Sequence, residues 1–133
     1  MNNEGQKYTE SQHQKHIVVW LREQKALRKL SFDVGMEGIR LKPYQINQVK
    51  SQGMDAGVPD IKIKLPNGIL VHVELKCWSN YNGLSSPQEA EHALLTELGH
   101  IVYMVREKTP EQALNRVKEI IKINTNKGCA ASK

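Results

Sequence analysis

The chain has 133 residues, enough for one domain with a real core and too few for two ordinary ones. Its formal charge of +5 and pI near 9.3 favour a polyanionic partner without naming one, and with a single Phe and two Trp, stacking on single-stranded bases is not the obvious binding mode. The apolar runs are too short to span a membrane, and Met1-Asn2-Asn3-Glu4-Gly5 lacks the basic-then-apolar pattern of a secretory signal.

Cys77 and Cys129 are far apart and match no metal spacing, so both read as free thiols in a reducing compartment. A cytoplasmic protein is the expectation. Residues 1–8 are polar and expected to be loose. Thr9-Glu10-Ser11-Gln12 then fits a capping box opening a helix over residues 10–30. Ile17, Leu21 and Gln24 share its apolar stripe, with Trp20 and Leu27 beside it. Glu10 lies seven residues before Ile17 and so projects from the apolar face. An acid there is either a favourable charge at a helix N-terminus or part of a site. Residues 32–41 hold a strand, a Gly-Met-Glu-Gly turn and a second short strand, and residues 42–57 carry no clear pattern.

A hairpin follows. Ile61, Ile63 and Leu65 alternate with Lys62 and Lys64, and Ile69, Val71, Val73 and Leu75 alternate with Leu70, His72, Glu74 and Lys76. The length of the turn decides whether Asp60 meets Glu74. A two-residue Asn-Gly turn pairs residue 60 with 75 and sends the two acids to opposite faces; a three-residue Pro66-Asn67-Gly68 loop pairs 60 with 74. Proline suits the first central position of a type I turn, and Gly68 can take the left-handed bulge position. The apolar register agrees with the longer loop: Ile61 faces Val73, Ile63 faces Val71 and Leu65 faces Ile69. Asp60, Glu74 and Lys76 then share the other face.

Ser86-Pro87-Gln88-Glu89 reads as a second capping box, opening a helix that Gly99 ends. Residues 100–106 read as a strand. Thr109-Pro110-Glu111-Gln112 opens a last helix on Ala113, Leu114, Val117, Ile120 and Ile121, and residues 124–133 are expected to fray as a flexible tail.

Two carboxylates are suitable ligands for Mg²⁺ or Mn²⁺, and a lysine beside them can orient a water or stabilise charge on a phosphorane. A charged strand face is also an ordinary surface feature, so the acids and lysine alone do not decide. The wider pattern is more specific. Asp60 with Glu74-Leu75-Lys76 resembles the PD-(D/E)xK nuclease superfamily. Gly53-Met54, Gly57-Val58-Pro59-Asp60, Val73-Glu74-Leu75-Lys76, Leu84-Ser85-Ser86-Pro87-Gln88 and Leu98-Gly99-His100 stand in the order and spacing of the VRR-NUC (virus-type replication-repair nuclease) domain. The helix over residues 10–20 also looks like that family's opening helix, and the resemblance covers roughly residues 9–106.

The resemblance implies an α/β, restriction-endonuclease-like core in a single domain over residues 9–123: a mixed central sheet flanked by helices, with the strands of Glu74 and His100 parallel across the helix that carries Gln88. It implies a Mg²⁺- or Mn²⁺-dependent DNA endonuclease, of the kind found in phage-type replication, repair and recombination, with host-cell cytoplasm as the setting for a phage protein. Asp60 and Glu74 would ligate the metal, joined by the Leu75 carbonyl and by Glu10 in its inner or outer shell. Lys76 would be the catalytic lysine, and Gln88 would support the water or the lysine. Some members act on branched DNA such as Holliday junctions as homodimers, and a monomer nicking duplex or flap DNA is the other reading.

Lys42, Lys50 and Lys62 are the candidate DNA contacts, with Lys64 beside them, although scattered lysines also mark any solvated surface. His13 and His16 lie near Glu10 and are expected to be exposed. His72 is expected to be a partly buried strand residue, and His92 and His100 structural. Trp78 and Tyr81 either pack on a sugar or base or anchor the core. A non-catalytic nucleic-acid-binding module on the same fold is the rival reading, and a sequence-specific restriction enzyme would need a recognition region this chain scarcely has room for.

Overall fold

Thr9 opens the first helix by reciprocal capping: its hydroxyl accepts from the Gln12 N–H at 3.1 Å, and Gln12 Oε1 accepts from the Thr9 N–H at 2.8 Å. A computed structural model describes residues 8–35, 59–78, 84 and 86–131. The helix, α1, spans Glu10–Ala26. It stops before residue 30 because Arg28 adopts a left-handed conformation (φ 60°). The Arg28 N–H then bonds the Lys25 carbonyl and the Lys29 N–H that of Gln24, the two bonds of a Schellman ending. A glycine normally fills that position, so the composition around Arg28 does not announce the stop. Leu27 consequently stays exposed.

The buried stripe of α1 is His13, Ile17 and Leu21, four residues apart, rather than the stripe continuing to Gln24. His13 is therefore an inward residue, contrary to the exposed position expected for it, because it begins the series that Ile17 and Leu21 continue. His16 is exposed, as expected.

Strand β1 covers Ser31–Val34, β2 covers Ile61–Leu65 and β3 covers Ile69–Cys77. The second strand expected near residue 41 lies outside the described residues. The hairpin register is that of the three-residue loop, with Ile61 opposite Val73, Ile63 opposite Val71 and Leu65 opposite Ile69. The turn itself, Pro66–Gly68, differs in one respect from the type I expectation. Asn67 (φ 67°) is left-handed as well as Gly68 (φ 75°). Asparagine tolerates that region better than most residues, so the Asn-Gly pair supplies two left-handed positions in succession.

Helix α2, Ser86–Glu97, already includes Ser86, the residue the sequence reading places at its cap; the preceding position lies outside the described residues. Gly99 (φ 90°) ends it as expected, with the His100 N–H bonding the Leu95 carbonyl. Strand β4, Ile101–Glu107, then pairs parallel with β3, so α2 is the crossover between them. The sheet is mixed, in the order β1-β2-β3-β4.

Helix α3, Pro110–Ala131, begins with a second reciprocal box between Thr109 and Gln112. It does not stop at residue 123. Asn124 falls one turn after Ile120 and is buried, its Nδ2 donating to the Ile120 carbonyl and to the Tyr103 hydroxyl, so a polar residue extends the inward stripe. The expected tail over residues 124–133 is thus helical through Ala131.

The core lies between one sheet face and helices α1 and α3. Ile61, Ile63, Leu65, Val71, Val73, Leu75 and Val105 meet Ile17 and Leu21 from α1 and Ala113, Val117 and Ile120 from α3. Each fully buried branched side chain contributes about 1.5–3 kcal/mol relative to exposure. Period-two alternation then forces Lys62, His72, Glu74 and Lys76 onto the opposite face, beside α2. That second face carries the chemistry.

Candidate active site

Strand β3 is central, and its polar side chains are as enclosed as its apolar ones. Glu74 is 1% exposed, Lys76 7%, and Asp60 and Gln88 8% each. Charged residues are almost never so buried without partners. The partners here are one another. Where the β2–β3 ladder ends at Ile61 and Val73, the two acids take over from it. The Asp60 N–H donates to Glu74 Oε2 at 3.1 Å, and the Leu75 N–H donates to Asp60 Oδ2 at 2.7 Å. The Asp60 carbonyl is held from the other side by the Gly35 N–H at 2.7 Å. Asp60 is thereby fixed from β3 and from the end of β1.

Gln88, in the first turn of α2, joins the acid to the base. Its Nε2 donates to Glu74 Oε1, and its Oε1 accepts from Lys76 Nζ at 2.7 Å. An amide is suited to this place because it carries a donor for the carboxylate and an acceptor for the ammonium, and this pairing assigns its orientation. The structure brings Asp60, Glu74, Leu75, Lys76 and Gln88 into one unit. Glu10 is half-buried at the first position of α1, and among the described residues it does not join the two acids in a metal-holding group of three carboxyl, imidazole or thiol side chains.

Of the candidate DNA contacts, Lys62 lies opposite His72 on the site face, whereas Lys42 and Lys50 fall outside the described residues. Lys64 pairs with Asp33 at 2.8 Å across β1 and β2. Hydrogen bonding to Lys64, and then its charge, lower the Asp33 carboxyl below the usual range.

His100 and His92 lie near His72. His72 is buried and meets the His100 ring edge-on, with centroids 5.7 Å apart. Burial first, then Lys62, His100 and His92, lower its pKa below the usual imidazole value. His92, one turn after Gln88 on α2, is lowered by burial and then by Lys76, against an opposing effect of Glu91. His13 is lowered by burial and by His16.

Two residues that matter here were not among the sequence candidates. Gly35 supplies a backbone donor, which leaves no side-chain signal in a sequence. Arg106 pairs in register with Lys76, and its Nη2 donates to the Trp78 carbonyl at 2.6 Å. The parallel register across the α2 crossover is the signal that finds it.

The fold and site define a small α/β domain with acids, amide and lysine on one face of a mixed sheet. It has the fold of VRR_NUC domain structures. One solved structure, a VRR_NUC domain protein, shares it with a TM-score of 0.63 over 88% of this chain and 91% of its own, at 17% identity. A second, named VRR_NUC domain, gives a TM-score of 0.50 over 86% of this chain and 97% of its own, at 20% identity. Comparisons with protein-family models and with curated proteins gave no match. The fold implied by the motif resemblance is therefore the observed one. Among the described residues no helix is long and apolar enough to cross a membrane.

Proposed function

We propose that the chain is a divalent-metal-dependent DNA endonuclease of the VRR-NUC type. The observation that carries this reading is the hydrogen-bonded unit of Asp60, Glu74, Gln88 and Lys76, buried on one sheet face. Burying opposite charges in this way is a weak device for stability, since well-packed apolar residues would serve as well or better. A chemical role accounts for them.

The donor set fits Mg²⁺ or Mn²⁺. Two carboxylates meet at the end of a hairpin, and Mg²⁺ is commonly held by one or two carboxylates with the rest of its shell from water and substrate phosphate. Asp60, Glu74 and the Leu75 carbonyl would hold the ion, with Glu10 in its outer shell. When bound, it would supply Lewis-acid polarisation of the phosphoryl group and a more acidic water. Lys76, placed on the Glu74 face by the strand period and directed by Gln88, stabilises negative charge on the phosphorane or orients the attacking water. Lys62, Lys42 and Lys50 contact phosphates and set register without reading sequence.

We extend the reading to branched DNA, including four-way junctions, cut by a homodimer whose symmetry matches that of the junction. Such a protein works in phage-type replication, repair or recombination in the cytoplasm of the host cell. The test is cleavage of end-labelled linear, flap and four-way DNA with Mg²⁺, Mn²⁺ or chelator, alongside solution mass. Metal-dependent cutting that Lys76→Ala abolishes supports the nuclease. Binding to all three DNAs with no cutting under any metal condition would establish a non-catalytic binding module instead.

A further inference from the structure

Trp78 is 47% exposed, two residues after Lys76 on the same chain. Leaving nearly half of a tryptophan in water forfeits much of the largest apolar burial available to any side chain. Trp78 is one of only two tryptophans in the chain. Its position is controlled. Arg106 is the register partner of Lys76, so both side chains leave the sheet on the same face. From there the Arg106 guanidinium lies over the indole, 5.3 Å from its centroid, while Nη2 bonds the Trp78 carbonyl. Backbone and ring are thus held by one arginine, on the side of the sheet where Lys76 meets Gln88. Two residues of strand span about 7 Å, a distance one nucleotide bridges.

We propose that Trp78, clamped by Arg106, is a stacking platform for one unpaired nucleobase next to the scissile phosphate. The proposal rests on the nuclease reading of the site. A base inside a duplex is already stacked on both faces, whereas an unpaired base at a flap, a junction or a frayed end offers its face to the indole. Stacking accepts any base, so the platform selects the local structure of the DNA and leaves its sequence unread. The positive guanidinium behind the ring adds attraction for the adjoining phosphate. The scarcity of aromatics elsewhere makes this a single-base contact rather than a groove for a long single strand.

The test uses the full chain carrying Asp60→Asn, so that DNA is bound without being cut, and Trp20→Phe, so that Trp78 is the sole indole. The probes are a short oligothymidylate and an abasic strand of the same length. The expected result is quenching of Trp78 fluorescence by the thymidylate and none by the abasic strand. Trp78→Ala should then weaken thymidylate binding about tenfold, leave abasic binding unchanged, and be rescued by Trp78→Phe. Equal quenching by both strands, or unchanged thymidylate binding in Trp78→Ala, overturns the platform. The quenching measurement needs no change at Trp78, so a folding defect in the alanine variant does not obscure it. Cleavage by the unaltered chain is scored separately. Cutting without base-dependent quenching refutes the platform alone, and quenching without any cutting refutes the nuclease.

Discussion

Gln88 converts a carboxylate and an ammonium on one strand face into a single bonded unit. Lys76 does the chemistry in our reading, so Lys76→Ala should lower kcat by about 10²–10³ while leaving DNA affinity within a few-fold. Gln88→Ala, which removes the link between Glu74 Oε1 and Lys76 Nζ but neither residue, should cost roughly 10–100-fold. Single-turnover rates with separate binding isotherms check both. Asp60 is tested without any turnover. Mn²⁺ should raise the thermal midpoint of the wild-type chain by several degrees, because a ligand at about a hundred times its Kd adds about 2.7 kcal/mol. Asp60→Asn, which keeps an oxygen for the Leu75 N–H, should fold and lose that shift. A shift undiminished in this variant would remove Asp60 from the metal site. The hairpin register in the sequence grouped Asp60, Glu74 and Lys76, the motif resemblance added Gln88, and the structure brings the four together. Gly35 was not legible in the sequence, because a backbone N–H belongs equally to almost every residue. Glu10 took its metal role from the resemblance, its spacing alone leaving two readings open, and the buried stripe of α1 begins at His13.

At the scale of elements, legibility followed the kind of signal each boundary emits. The hairpin was readable to the residue because turn chemistry and apolar alternation gave the same register. Gly99 announced the end of α2, since glycine takes the left-handed position at no steric cost. The end of α1 was hidden because Arg28 occupies the equivalent position. That substitution has a cost, so Arg28→Gly should stabilise the chain by roughly 0.5–1 kcal/mol despite glycine's greater unfolded-state entropy. Urea unfolding of the two proteins measures the difference, and a destabilised glycine variant would mean that the Arg28 side chain contributes more than its backbone costs. The extension of α3 past residue 123 was hidden for a different reason. Asn124 is polar, and only the Tyr103 hydroxyl brought over by β4 shows why it is turned inward.

Over the whole molecule, three imidazoles are held below their usual pKa, each chiefly by burial: His13 on α1, His72 on β3 and His92 on α2. The folded chain favours their neutral forms, while the unfolded chain protonates them as pH falls through about 6.5. Their contribution to stability is therefore complete above that value and lost as pH falls below it toward the lower folded values. Urea midpoints should drop between about pH 7.5 and about pH 5.5. His13→Phe keeps a ring in the core and removes one proton-binding site, so its drop over the same interval should be smaller. An identical drop would assign the acid sensitivity to other groups. The mixed sheet supports this distribution: one face is sealed by α1 and α3 as a conventional core, and the other encloses polar residues beneath α2. Strand β3 serves both, with Val71, Val73 and Leu75 on the core side and His72, Glu74 and Lys76 on the other.

The two backbone amides that end on the acids have a practical consequence. The Asp60 N–H bonds the Glu74 carboxylate, and the Leu75 N–H bonds the Asp60 carboxylate. Each amide proton senses the charge on the other strand's acid. In a nitrogen–proton NMR spectrum these two resonances are gauges built into the backbone. Protonation of Glu74 moves the Asp60 signal first, and protonation of Asp60 moves that of Leu75. A metal drawing on both carboxylates moves the pair together.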